Sequence, residues 1–381
     1  MDFKPLEQCC TILDNRRKPI TKASRQAGVY PYYGANGIQD YVADYIFDGI
    51  FILVGEDGSV ITPNGNPIVN WAEGKIWVNN HAHIAEEKDG ILLRYLYHYL
   101  QTVNVSPYIH GNIPKLTGGD FRNIQIPVPP LPVQQEIVRI LDSFTELTAE
   151  LTAELAARKK QYEYYQEKLL DFGDKVEWKT IGEIATVSDY VANGSFASLR
   201  ENVQYIHKPD FAVLIRTVDY STGFDPTKFI YIDEHAYNFL EKSKLFGGEI
   251  IINNIGAGVG TTFRCPKLNT YMSLAPNSIM VSTPNDDFYY YWFISKYGQD
   301  AIQKVTSQSS MPKFNKTGFR SIMVPVPSQE EQRQVVEILD KFYLINNSIY
   351  YGLPAEIAAR QKQYEYYRDK LLSFKEAEVS Q

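Results

Sequence analysis

Three cysteines in 381 residues, two of them adjacent at Cys9 and Cys10, are too few and too badly spaced for a disulfide framework or a thiolate metal site. No apolar run approaches the ~20 residues that span a bilayer. The first ten residues carry Asp2 and Glu7 and no apolar centre, so neither anchor nor signal peptide is expected, and cytoplasmic residence without membrane contact follows. A GxxxxGK[ST] phosphate loop is missing, which excludes the usual seat of nucleotide-driven work. Gly256, Gly258 and Gly260 have the wrong spacing for a dinucleotide loop and read as a turn between strands. An Asn-Pro-Pro-aromatic loop of the kind that holds a flipped base is also missing, since Asn66-Pro67 continues to Ile68. His81 and His83 stand two apart with no cysteine or carboxylate at ligand spacing, so no metal and no cofactor is expected. Such a chain, lacking a catalytic constellation, points to binding.

What is present is ample. Hydrophobic residues make up 44%, aromatics 13% and charged residues 22%, a composition that folds, and the length suits two domains with extra material. Residues 156 to 172 match residues 358 to 374 at 13 of 17 positions at an offset of 202. A second block, 114 to 129, matches 312 to 327 at 8 of 16 positions at offset 198, with ILD following at 140 and again at 338. A fainter echo pairs Phe3, Lys4, Leu6, Thr11 and Asp14 with Trp178, Lys179, Ile181, Thr186 and Asp189. The chain is therefore two copies of one plan. Repeated ends with unlike middles imply one frame carrying two different inserts, and hence two different targets. The division expected is a globular part over 1–126, a helical tail over 127–172, a second globular part over 173–325 and a second tail over 326–381.

Each tail reads as a long helix. In the first, Ile137, Leu141, Phe144, Leu151, Leu155, Tyr162, Tyr165 and Leu169 recur at heptad spacing, broken at Thr148 and Arg158. About 40 residues at 1.5 Å each make a rod of ~60 Å, which needs a partner helix. The second tail supplies a matching seam in Val335, Leu339, Phe342, Ile357, Tyr364, Tyr367 and Leu371, interrupted by Gly352, Leu353 and Pro354, where a kink is expected. That tail ends where a third globular part would begin, which predicts a circular, pseudo-twofold arrangement with the two rods antiparallel. The inserts mix strand-like runs (49–54, 249–252) with helix-like runs (91–101, 288–303), so the fold class is α+β. The formal charge of −7 argues against a polyanionic partner, but the tails hold five of those charges and the globular parts are nearly neutral, which leaves room for local basic clefts.

With these parts the chain resembles the specificity subunit of type I restriction-modification systems over essentially its whole length. The resemblance is carried by the IPVP and VPVP junctions (126–129, 324–327), the EIVRILD and QVVEILD helix starts, the KKQYEYY and QKQYEYY helix ends with KLL, the segment Tyr30 to Ile38, and the tandem TAEL at 148–151 and 152–155, which marks one subfamily. The resemblance implies a non-catalytic subunit. Two target recognition domains would each read half of a split site in double-stranded DNA. An antiparallel helical pair would space them and dock two methyltransferase subunits, and through those the restriction and translocase subunits. Unlike inserts then imply an asymmetric site. A different class, a non-enzymatic coiled-coil adaptor without DNA specificity, remains as the alternative.

Reading base edges calls for Arg, Lys, Asn or Gln, and phosphates call for cations. In the first insert the basic cluster Arg16, Arg17 and Lys18 is expected at phosphates, and Tyr32, Tyr33 and Asn36 in a glycine-punctuated turn near a groove. The tyrosines could equally be core. In the second insert Arg216, Asn253, Asn254, Lys313, Asn315 and Lys316 are the candidates. Lys115 and Lys313 are equivalent by repeat and suggest a shared backbone contact. Arg122 and Arg320, also equivalent, are expected to pair with carboxylates of the frame.

Overall fold

The computed structural model describes residues 1–58, 60–347 and 352–375. Two compact units emerge, and the first is discontinuous: Met1–Glu154 joined by the chain from Pro354 onward, against Leu155–Leu353 for the second. The C-terminal helix therefore packs with the N-terminal domain, as a circular plan requires.

Each unit is built on the same four-stranded antiparallel sheet. In the first unit its order is Thr11–Ile12, Ala82–Glu86, Phe47–Gly55, Val69–Val78; in the second it is Thr186–Asp189, Ser278–Ser282, Ile250–Asn253, Thr262–Arg264. The additions differ. The first unit extends its sheet to six strands with the hairpin Ala27–Gly34 and Gly37–Val42, whereas the second folds a separate sheet from Ile230–Ile232, Ala212–Ile215, Tyr271–Leu274 and Lys244–Leu245. The glycine cluster at 256–260 is the turn from Ile250–Asn253 to Thr262–Arg264, with Gly256 and Gly260 at φ 92° and 88°.

The joint between globe and rod is duplicated bond for bond. Phe3–Pro5 pairs with Gln125–Pro127, and Glu177–Thr180 pairs with Met323–Val326. The junction prolines are buried, and their carbonyls take side-chain donors. Tyr95 donates its hydroxyl to Pro127 O at 2.9 Å and Tyr289 to Pro325 O at 3.1 Å. Gln134 Nε2 donates to Pro129 O at 2.9 Å and Gln332 Nε2 to Pro327 O at 3.0 Å. The 288–303 run divides into two helices, Asp286–Ile294 and Lys296–Val305, because Ser295 caps the second by accepting from Gly298 N at 3.4 Å.

The first rod helix is Leu131–Leu169, 39 residues without interruption. Ile137 and Leu141 are buried with Tyr364 in the first unit's core, where Phe144 stacks on Tyr367 at 5.4 Å and Leu371 packs at the margin. In the second unit Val335 and Leu339 are buried with Leu170, and Phe342 meets Tyr162 and Tyr165 at 6.3 and 5.4 Å, with Leu169 beside them. Early residues of the first rod thus meet the C-terminal helix and late ones meet the helix Gln329–Asn347, the reversed order of antiparallel partners. Leu151, Leu155 and Ile357 are half-buried, and so are Thr148 and Arg158, so the seam continues through the two positions that break its apolar pattern. Thr148 manages this by turning its hydroxyl onto Phe144 O at 2.8 Å. Between the helices Gln329–Asn347 and Leu353–Leu371, the expected kink falls partly on 348–351, outside the described residues; Gly352 directly precedes the second helix.

His98, fully buried on the helix Leu93–Leu100, ties the first domain to both rods. Its Nε2 lies 2.8 Å from the Asp142 carboxylate and its Nδ1 3.0 Å from the Tyr364 hydroxyl, while Arg94 Nε donates to the same carboxylate at 2.8 Å.

Candidate nucleic-acid interface

At one end of the common sheet three loops converge in each unit, held by the same backbone hydrogen bonds. In the first unit Glu56 N donates to His81 O (2.9 Å), Gly58 N to Pro114 O (3.0 Å) and Leu116 N to Glu56 O (2.8 Å). In the second, Asn254 N donates to Asn277 O (3.0 Å), Gly256 N to Pro312 O (2.9 Å) and Phe314 N to Asn254 O (3.1 Å). Glu56 and Asn254 therefore occupy one structural position, and so do His81 and Asn277. Lys115 and Lys313 sit on the adjoining bridges, to Asp57 and Ile255 respectively. Just beyond them Thr117 and Asn315 cap equivalent short helices, accepting from Asp120 N at 3.2 Å and Gly318 N at 2.8 Å.

Most nominated residues gather at this end. In the first unit Arg16 and Lys18 are exposed, with Arg16 lying 5.0 Å over the Phe47 ring. Asn36 is exposed at the tip of the Gly34–Gly37 hairpin, whose Ala35 carbonyl would lie 2.9 Å from a Cβ on Gly55, so the tip lies against the loop that starts there. Arg17 differs from expectation. Its side chain is 13% exposed and is consumed by Glu56 (2.6 Å), Asp14 (3.6 Å) and Ala82 O (2.7 Å), so it is part of the scaffold. Tyr32 is buried with its hydroxyl between Ile20 N and O at 3.0 and 3.3 Å, and Tyr33 is also buried, which puts both tyrosines in the core. In the second unit Lys313 and Asn315 are exposed; Lys316 instead ion-pairs with Asp189 at 2.9 Å. Asn253 is buried at the strand end, and Asn254 reaches Phe314 O at 3.4 Å. Arg320 donates to Val187 O at 3.1 Å, a carbonyl in place of the expected carboxylate.

Nothing in the residue spacing marks His83 as a partner of carboxylates. It lies 2.7 Å from Asp14 and 3.7 Å from Glu56, residues distant along the chain, and stacks 4.4 Å from Phe121. Burial works against the charge on Asp14, but the His83 contact, the Ile84 N–H and Arg17 outweigh it and hold its carboxyl below the usual range. Ligand atoms of Asp14, Glu56 and His83 fall within 4.8 Å of one another. Arg17 and Lys115 already match the two carboxylates, Lys115 at 3.2 Å from Glu56, so no charge deficit is left for a metal to fill. Among the described residues the second unit has no such network: Asn254 replaces Glu56, Asp189 pairs with Lys316, and Lys313 has no carboxylate partner.

These features define a class: a duplicated reader with two unlike inserts presented at the same end of one repeated frame, and with rods that pair across the repeat. The chain belongs to the family described as the type I restriction modification DNA specificity domain, whose model matches it twice, over residues 1–160 and 173–359. It is 34% identical over 397 residues to a putative type I restriction enzyme specificity subunit of Haemophilus influenzae, covering 98% of this chain and 96% of that one. With the EcoR124I/EcoR124II specificity subunit of Escherichia coli it shares 36% identity over 314 residues, 76% of this chain and 72% of the other. Among solved structures, the S subunit of a type I restriction-modification system from M. genitalium shares the fold, at TM-score 0.63 and 16% identity over 98% and 96% of the two chains. The chain is thus a specificity subunit, a non-catalytic component of a restriction-modification complex. Among the described residues no helix is long and apolar enough to cross a membrane.

Proposed function

We propose that this subunit reads an asymmetric, bipartite site in double-stranded DNA. The converging loops of each unit read one half-site. The paired rods set the unread spacer and dock two methyltransferase subunits, through which restriction subunits join. The observation that carries this reading is the pair of unlike inserts on one frame, which itself places a lysine, Lys115 or Lys313, at the same position in each unit. The serial division into recognition domains (1–126, 173–325) and spacer helices (127–172, 326–381) is part of the proposal, with Arg16, Lys18, Asn36, Lys115, Arg216, Asn253, Asn254, Lys313 and Asn315 as its DNA-facing set.

The two lysines are not equal. Lys115 shares the Glu56 carboxylate with Arg17, so part of its charge is spent within the protein, whereas Lys313 keeps its own. Removing one lysine–phosphate interaction lowers the slope of log affinity against log salt by about 0.9. Lys313→Ala should remove close to that full unit in a titration of the methyltransferase-bound complex, and Lys115→Ala clearly less. Binding that is insensitive to salt in the wild type would instead favour an adaptor without DNA specificity. Equal reductions from the two lysine variants would refute the compensation by Glu56.

A further inference from the structure

A cleft of about 560 Å³ opens in the second unit beside the converging loops, lined by Tyr205, His207, Arg216, Thr217, Asn253 and Asn277 among others. Its arginine is held in an unusual way for a residue on an open surface. Arg216 Nε donates to Asp219 Oδ2 at 3.0 Å, and Nη2 donates to Asp219 Oδ1 at 2.5 Å and to Lys228 O at 2.7 Å. Asp219 is itself buried and also accepts from Arg216 N at 2.8 Å, so the side chain is locked from both ends. Nη1 has no partner among the described residues, and Arg216 lines the cleft.

A guanidinium whose charge is matched by a buried carboxylate has little long-range pull on a phosphate. What it retains is direction: two N–H groups on Nη1, fixed in space by the ion pair, of the kind that a base edge needs. Around it the cleft offers amides. Asn253 sits under Gly258, where an added Cβ would come 3.1 Å from its Nδ2. Asn277 holds φ 70°, a left-handed conformation that asparagine tolerates, and its carbonyl is tied to Asn254 N at 3.0 Å. Lys313 is the opposite case, an exposed cation without a carboxylate partner among the described residues, suited to attraction and not to discrimination.

We propose that this cleft is the base-reading pocket of the second recognition domain and that Arg216, oriented by Asp219, determines its specificity by donating to the acceptor edge of a purine. Guanine, with O6 and N7, is the better match than adenine with N7 alone. Asn277 and Asn253 read the neighbouring edge. The inference rests on the half-site reading above and deepens it.

The test is methylome sequencing of cells co-expressing the methyltransferase subunit with wild-type, Arg216→Lys or Asn277→Gly subunit. Lysine keeps the charge beside Asp219 and loses the fixed fork, and glycine keeps the left-handed backbone and loses the amide. R216K should relax the motif at one guanine-bearing position of one half-site, with the other half-site and the spacer unchanged. N277G should relax a position next to it. An R216K motif identical to wild type at uniformly lower occupancy would overturn the assignment. If R216K does not assemble, an unaltered N277G motif overturns it equally. Failure of the underlying reading looks different, because the wild type itself would then yield no bipartite motif.

Discussion

Deleting Thr152–Leu155 should shorten the unread spacer of the DNA site by one to two base pairs and leave both half-sites as they were. The tandem TAEL lies where the first rod helix passes from one unit to the other, the boundary falling between Glu154 and Leu155. Four helical residues span ~6 Å, against 3.4 Å per base step. Four residues also complete slightly more than one helical turn, so Leu151 takes over the seam place of Leu155 and the half-buried face stays continuous. Methylation mapping that showed altered half-sites with an unchanged spacer would contradict the ruler.

Replacing Asp142 with alanine should cost the first unit about 2 kcal/mol, the scale of losing a hydrogen bond to a charged acceptor and leaving a buried partner unpaired. The carboxylate holds both Arg94 and the fully buried His98, and the alanine variant leaves His98 Nε2 without its partner. Denaturant unfolding should show the loss. The same site gives an acid sensitivity with a definite sign. Burial pushes the His98 pKa down, against the pull of Asp142. The neutral ring, with its proton on Nε2, donates to Asp142 and accepts from Tyr364. Above the unfolded value near 6.5 the ring is neutral in both states and contributes no pH dependence. Below it the unfolded chain takes up the proton first, and stability falls by up to roughly 1.4 kcal/mol per pH unit until the folded value is reached. His98→Gln should flatten the part of the stability loss that begins just below pH 6.5. An unchanged pH profile would show that folding does not shift the His98 pKa.

The rods and the repeat were legible because helix seams and helix ends are written in side chains: KQYEYY recurs since Tyr162 and Tyr364 each fill a seam. The junction was legible for the same reason, through its repeated prolines. The common sheet was not. Its loops are held by backbone hydrogen bonds that any residue can make, so Glu56-Asp57-Gly58 and Asn254-Ile255-Gly256 share a structure with only the glycine in common, kept where φ is 88° and 92°. Arg17 escapes a reading from sequence because a basic run before a proline looks solvated, whereas its partners Glu56 and Ala82 are brought in by two separate strands to join the neighbouring Asp14. The Asp219 lock on Arg216, three residues apart, was within reach of sequence reasoning: a carboxylate at i+3 of an arginine at a helix start is a capping pattern.

The most direct test of the central claim is to co-express the subunit with its methyltransferase subunit and sequence the host DNA for methylated adenine. A bipartite, asymmetric motif with an unread spacer is the predicted result. A stable complex that produces no new methylation, or that modifies a single contiguous or palindromic site, would contradict the reading of two unlike domains held apart by a helical ruler.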